Sequence, residues 1–153
     1  MKKHIFKNPL IILLLCILCL SCDKEEPANP PAPEFAKVRP VNMPAFFEPG
    51  ESYNIEVVYV LPSSCHTPFG LGIERKGNSA EGLRNIFVTG ITRKDSEDAC
   101  DEQEEANPEI EDSFYISIDQ QQPYTFYFWS GLNENGEHQF EEVQIPVKST
   151  KPE

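Results

Sequence analysis

The chain predicts an all-β protein, an antiparallel β-sandwich of about seven strands. Three observations predict it. From Phe35 onward, apolar residues recur at every second position in short segments, the period of a half-buried strand. Those segments are separated by Pro, Gly, Asn and Ser clusters of turn chemistry. Apolar spacing of three and four, the mark of an amphipathic helix, is nowhere sustained.

The first strand is read over 35–41, stopped by Asn42 and Pro44, with Glu48-Pro49-Gly50-Glu51 as a turn. The clearest strand is 52–61: Tyr53, Ile55, Val57, Tyr59 and Leu61 alternate with Asn54, Glu56, Val58 and Val60. Pro62-Ser63-Ser64 ends it. Phe69, Leu71 and Ile73 alternate in the next segment, which ends at Lys76-Gly77-Asn78. A fourth strand covers 83–93 with Ile86, Phe87, Val88 and Ile91, and Gly90 as a candidate bulge. Residues 113–119 set Phe114, Ile116 and Ile118 against Tyr115, Ser117 and Asp119.

The sixth segment, Tyr124-Thr-Phe-Tyr-Phe-Trp129, is aromatic on both faces: Tyr124, Phe126 and Phe128 on one, Thr125, Tyr127 and Trp129 on the other. Asn133-Glu134-Asn135-Gly136 follows, and Asn-Gly favours a hairpin because both residues tolerate positive φ. The return strand runs over about 139–147, with Val143, Ile145 and Val147 on one face. Pro146 cannot donate to a ladder, which places that end on a sheet edge.

Ahead of the strands the order is different. Lys2, Lys3 and Lys7 precede an unbroken apolar run from Leu10 to Leu20, then Ser21, Cys22 and Asp23-Lys24-Glu25-Glu26. As a helix this run covers only about 16 Å, roughly half a bilayer core. Basic start, short apolar run and small residue are the parts of a secretory signal peptide, 1–21. Residues 22–34 then hold four prolines in the twelve that follow Cys22. They make a semi-stiff tether with a reach of up to ~35 Å at about 3.1 Å per residue. The domain is read over 35–148, with 149–153 as a tail.

Leu18-Cys19-Leu20-Ser21-Cys22 resembles a bacterial lipobox, although Leu is more usual where Cys19 stands. The resemblance implies that Cys22 becomes the N-terminus and carries a diacylglycerol and an N-acyl chain such as palmitate. The chain would then be tied to a membrane by lipid. A plain signal peptide or an uncleaved anchor is the alternative. Lys24-Glu25-Glu26 resembles the lipoprotein export signal of Bacteroidota, which implies an outer-membrane lipoprotein displayed on the cell surface. Against it stands the enteric rule, in which an acid after the cysteine, here Asp23, retains the protein in the inner membrane.

Charge bounds the partners. The chain has 13 basic and 25 acidic residues, a net charge of −12. Loss of the signal, with its three lysines and no acid, takes it to −15. Such a domain is repelled by nucleic acid and anionic head groups, and self-repulsion favours a monomeric ectodomain. Of five cysteines, Cys22, Cys65 and Cys100 survive cleavage. With Cys22 acylated and the compartment oxidising, Cys65 and Cys100 are expected to pair.

Gln122-Pro123-Tyr124-Thr125-Phe126 resembles the tyrosine corner of immunoglobulin-like domains, with Phe126 where an antibody domain has its second Cys. The sandwich is therefore expected to be immunoglobulin-like, and the chain resembles the Ig-like lipoproteins of Bacteroidota surfaces. A Cys65–Cys100 bridge departs from that pattern by stapling loops at one pole.

Few residues suggest chemistry. The segment from Asp95 to Asp112 holds ten acids and no base. Asp95, Asp98, Asp101 and Glu102 are candidate Ca²⁺ ligands, but the EF-hand order is missing, and a hydrated loop is the simpler reading. Cys65-His66 points two neighbouring side chains apart and offers no thiol catalysis. A zinc site from Cys65, His66, Cys100 and His138 has no diagnostic spacing. Ser63 and Ser64 read as turn residues. Tyr127 and Trp129 are candidate ligand contacts, for a protein or a glycan, if their face is outward; otherwise they pack beneath neighbouring chain. The expectation is a non-enzymatic, lipid-anchored binding or accessory module without a cofactor. The alternatives are a structural envelope lipoprotein without a ligand and a Ca²⁺-responsive module using 95–112.

Overall fold

The structure, a computed structural model, describes residues 32–77, 79–95 and 107–148. They belong to one compact unit, 31–153. Seven strands follow in order: β1 (Pro33–Asn42), β2 (Ser52–Val60), β3 (His66–Arg75), β4 (Asn85–Lys94), β5 (Glu109–Ser117), β6 (Tyr124–Leu132) and β7 (His138–Ile145). A single 3₁₀ turn, Gly82–Arg84, precedes β4, where the sequence reads strand from Leu83. Among the described residues no helix is long and apolar enough to cross a membrane.

Hydrogen bonding runs β5-β2-β1-β4-β6-β7, with β3 on β4. β1 changes partner along its length. Pro33–Ala36 pair with β4, and Lys37–Asn42 pair with β2. The sheet is mixed, which corrects the expectation of a purely antiparallel one: β4 and β6 are parallel over Asn85–Val88 and Thr125–Phe128. The cause is topological. The chain leaves β4, crosses to the far end of the order to form β5 beside β2, and returns to β4's side for β6. A strand reached by that detour, not by a tight turn, is free to run in the same direction as its neighbour.

The core takes alternate residues from six strands. Ala36, Val38, Ile55, Val57, Tyr59, Ile86, Val88, Ile116, Tyr124, Phe126, Phe128 and Ile145 are all buried in one cluster. Phe114 on β5 and Phe126 on β6 have ring centroids 6.4 Å apart, although three strands separate β5 from β6 in the bonded order. Phe47, outside the strands, is fully buried against Tyr53, Tyr124 and Phe126. A single parallel bridge to Val147 holds it there.

Three local expectations change. Gly90 is not a bulge: it pairs in register with Ala36 and Leu71. Its glycine identity answers crowding, because a Cβ there would lie 2.9 Å from the Cβ atoms of both Ala36 and Tyr59. The bulge is next door, between Pro68 and Gly70 on β3, and Phe69 is the extra residue. Phe69 is accordingly 67% exposed beneath the Arg93 guanidinium, and does not join Leu71 toward the core. In the loop that joins β6 to β7, residues 133–137, only Gly136 has positive φ, +78°. Asn135 does not, so Gly alone supplies the left-handed position, as in a three-residue hairpin loop. The Asn133 side chain accepts from the N–H groups of Asn135 and Glu137 and fixes the loop.

Candidate functional site

The inward positions of β4 and β6 are filled by Ile86, Val88, Phe126 and Phe128, so parity sends Phe87, Tyr127 and Trp129 to the opposite face. On β7, Phe140 lies across from Trp129, and Glu142 across from Tyr127. On β3, Glu74 lies across from Phe87, and Gly72 across from Thr89. The outer face of β3, β4, β6 and β7 therefore carries a band of aromatic side chains flanked by polar ones.

The rings touch. Phe87 and Tyr127 stack at 4.5 Å and 9°. Phe140 meets Phe87 edge-on at 5.3 Å. Phe35, from β1, meets Trp129 edge-on at 5.7 Å. Such offset and T-shaped pairs align the positive ring edge with the negative face and contribute about 0.5–1.5 kcal/mol each. The Lys76 ammonium sits over Phe87, 4.1 Å from its centroid. Between these groups opens a cleft of 310 Å³, walled by Phe35, Phe87, Trp129 and Phe140, with Glu74, Lys76, Thr89 and His138 at its polar positions.

Trp129 is a wall of the cleft, not an exposed platform: it is 8% exposed. Its Nε1–H donates to His138 Nδ1 at 2.9 Å. An indole nitrogen only donates, so Nδ1 is the acceptor and the His138 ring carries its proton on Nε2. Tyr127 is half-buried under its stack with Phe87. Phe35, Phe87, Phe140, Lys76 and Glu74 were not among the residues singled out from sequence, and His138 entered there only as a zinc candidate. Strand parity would have found Phe87, since it falls between the buried Ile86 and Val88, whereas Phe140 lies between exposed Gln139 and Glu141 and gives no such signal.

The opposite end of β3 holds a second cluster. His66 is buried, its Nδ1 2.9 Å from Ser63 Oγ and its Nε2 3.2 Å from a Glu34 carboxylate oxygen. The order serine, imidazole, carboxylate is that of a nucleophilic triad, with the ring nitrogens exchanged. Here the Ser63 oxygen also accepts from the Cys65 N–H at 3.2 Å. Those two bonds within one turn tie the hydroxyl into the loop that leads into β3. Cys65 is buried. Cys100 lies outside the described residues, as does Cys22.

Of the Ca²⁺ candidates, Asp98, Asp101 and Glu102 lie outside the described residues. Asp95 accepts from the Thr67 hydroxyl with both carboxylate oxygens at 2.9 Å. The expected loop 95–112 ends early, because Glu109, Glu111 and Asp112 already belong to β5 in register with β2. Glu109 pairs with Arg39 at 2.9 Å. Among the described residues no group of three or more His, Cys, Asp or Glu could hold a metal ion.

The tyrosine-corner geometry is present at the entry to β6. Tyr124 is fully buried, and its hydroxyl donates to Asp119 Oδ1 at 2.7 Å. The same oxygen accepts from the N–H groups of Asp119 and Gln120, each at 3.1 Å. The Tyr124 hydrogen bond holds the Asp119 carboxyl below the usual carboxylate range, and burial pushes the Tyr124 phenol up.

No protein-family model matches this chain, and no curated protein or solved structure matches it either.

Proposed function

We propose that the chain is a lipid-anchored, extracytoplasmic, non-catalytic module that binds its ligand on the aromatic outer face of β4, β6 and β7. The observation that carries this reading is the cleft itself. Phe87, Tyr127, Trp129 and Phe140 lie on the side of the strands away from the core, where they add nothing to the central cluster. Concave sites walled by aromatics with a few placed polar groups are where small ligands bind.

The anchor rests on the sequence: the basic start, the apolar run and Ser21-Cys22 support acylation at Cys22, and Lys24-Glu25-Glu26 support display on the outer membrane surface. An immunoglobulin-like sandwich is supported by the Tyr124 corner, by the change of partner along β1 and by the contact between Phe114 and Phe126. A Cys65–Cys100 bridge completes the proposal. Closing a loop of that length contributes about 3–4 kcal/mol in the chain-entropy estimate. Absence of catalysis is supported by the engagement of the Ser63 hydroxyl within its own turn.

One observation favours a second reading, a structural lipoprotein without a ligand: Trp129 is already sealed by Phe35 and His138. A Ca²⁺-responsive role gains nothing comparable, since Asp95 and Glu109 already have partners within the chain.

The test is amide chemical-shift mapping on the full-length chain with three sets of compounds: neutral oligosaccharides, small organic cations and short extended peptides. Binding on the outer face predicts saturable shifts along β4, β6 and β7 with at least one set. Unmoved resonances there with all three sets overturn the reading in favour of the structural one.

A further inference from the structure

We infer that the cleft on the outer face takes a neutral saccharide, one to two pyranose rings in size. The inference rests on the outer-face reading above and names its ligand class.

Size sets the first limit. At 310 Å³ the cleft is at the small end of ligand sites, about 300–1,000 Å³, and holds one or two small rings. Its walls set the second. Aromatic faces are electron-rich, and they attract a flat patch of weakly positive C–H groups. A pyranose presents such a patch on its ring face and hydroxyls around its edge. The cleft matches both parts. Phe87, Trp129 and Phe140 supply apolar wall, and the remaining positions supply hydrogen bonds of both senses.

Those polar positions are specific. Lys76 only donates, and the Glu74 carboxylate only accepts, while the Thr89 hydroxyl does either. The His138 ring, its Nδ1 committed to the Trp129 N–H, offers its Nε2–H as a donor. A site with fixed donors and acceptors around an aromatic wall suits a ring bearing several hydroxyls better than a hydrocarbon.

Charge excludes the ionic alternatives. Glu74 and Lys76 cancel within the cleft, so nothing there matches a net charge on the ligand. An anion must also approach a chain of net charge −12. An organic cation would seek an aromatic face, but the face of Phe87 is already covered by the Lys76 ammonium at 4.1 Å. A second cation there meets a like charge. A neutral ring can take that face while Lys76 swings on its flexible stem to a hydroxyl.

Trp129 is the only tryptophan in the chain and lines the cleft, so its fluorescence reports occupancy. The full-length chain is purified in a detergent without a sugar head group. It is titrated with neutral oligosaccharides built on glucose, mannose, galactose, xylose and N-acetylglucosamine, and in parallel with tetramethylammonium and a lysine-rich peptide. The expected result is a saturable change with at least one saccharide at millimolar concentration or below, and none with the cation or the peptide. Phe140→Ala is expected to weaken saccharide binding at least tenfold. Glu74→Gln, an exposed and nearly isosteric change on an edge strand, is expected to weaken it at least threefold with an unchanged melting temperature. A response to the cation or the peptide alone overturns the saccharide assignment and leaves outer-face binding standing. A saccharide response indifferent to both substitutions overturns it too, by placing the sugar elsewhere. Silence from every compound overturns both.

Discussion

Tyr124 combines two jobs in one side chain. Its ring packs edge-on to Phe47 in the core, and its hydroxyl caps the backbone that turns into β6. Tyr124→Phe keeps the ring and strips the hydroxyl, leaving the N–H groups of Asp119 and Gln120 without that acceptor. Losing such bonds costs about 1–3 kcal/mol, to be read as a lower denaturant midpoint with an unchanged slope. The substitution also carries a pH signature. Asp119 has a lowered folded pKa, caused first by the Tyr124 hydrogen bond. Its stabilisation is therefore fully present above the ordinary unfolded carboxylate value, about 3.9, and is lost as pH falls through the lowered folded value. The gap in stability between the native chain and Tyr124→Phe should narrow over that acidic window, stay constant through neutral pH, and narrow again above the ordinary tyrosine value of about 10, because the native Tyr124 phenol is held above it. A gap independent of pH below 4 would separate Asp119 from the corner. The motif Gln-Pro-Tyr124-Thr-Phe126 made this residue legible in sequence, because one side chain and its immediate upstream backbone form the whole device.

Strands were legible to the extent that their contacts are periodic. β2 and β6 declared themselves because one face of each is core, and the parity of Tyr124, Phe126 and Phe128 carries straight into the structure. β5 was read four residues short. Glu109, Glu111 and Asp112 look like loop, yet they pair with Tyr59-side positions of β2 and project from a sheet edge, where charge blocks further strand addition. The parallel β4–β6 pair and the partner change in β1 were not legible, because both depend on which strands meet and not on any local pattern. The aromatic band was half legible for the same reason. Tyr127 and Trp129 are adjacent in one strand, whereas Phe35, Phe87 and Phe140 join them only once β1, β4 and β7 are placed. Gly90 shows the element scale most clearly, since its local sequence suggests a bulge and its neighbours explain it. A Gly→Ala exchange in an unstrained strand ordinarily stabilises by reducing the freedom of the unfolded chain. Here the added methyl would press on Ala36 and Tyr59, both held by their own ladders. Gly90→Ala should instead destabilise by about 1–3 kcal/mol, the usual cost of overpacking. Equilibrium unfolding measures it, and a stabilised variant would show that β1 and β4 can separate to make room.

At the scale of the whole molecule, the proposed function divides the work between an N-terminal lipid anchor and a β-unit that offers a cleft. The proposed anchor depends on one atom, the sulfur of Cys22. Each buried methylene of an acyl chain contributes about 0.8 kcal/mol, so a single chain holds a protein only reversibly, whereas two or more hold it durably. The polar tether that follows has nothing to insert into a bilayer, and the β-unit is strongly acidic. Attachment should therefore be all or none with respect to acylation. The native chain is expected in the detergent-rich phase of a cloud-point partition, and Cys22→Ser in the aqueous phase. The two should share the same melting temperature, because position 22 precedes Pro33, where β1 begins. Mass spectrometry of the native form should show the diacylglycerol and N-acyl additions on a chain beginning at Cys22. A Cys22→Ser chain that stays with the membrane would transfer the anchoring role to the apolar run 10–20 retained as an uncleaved segment. A native chain that begins beyond Cys22 and carries no lipid would make the protein freely secreted. Neither result would touch the cleft, whose walls and polar groups come entirely from β1, β3, β4, β6 and β7 and the Lys76 that follows β3.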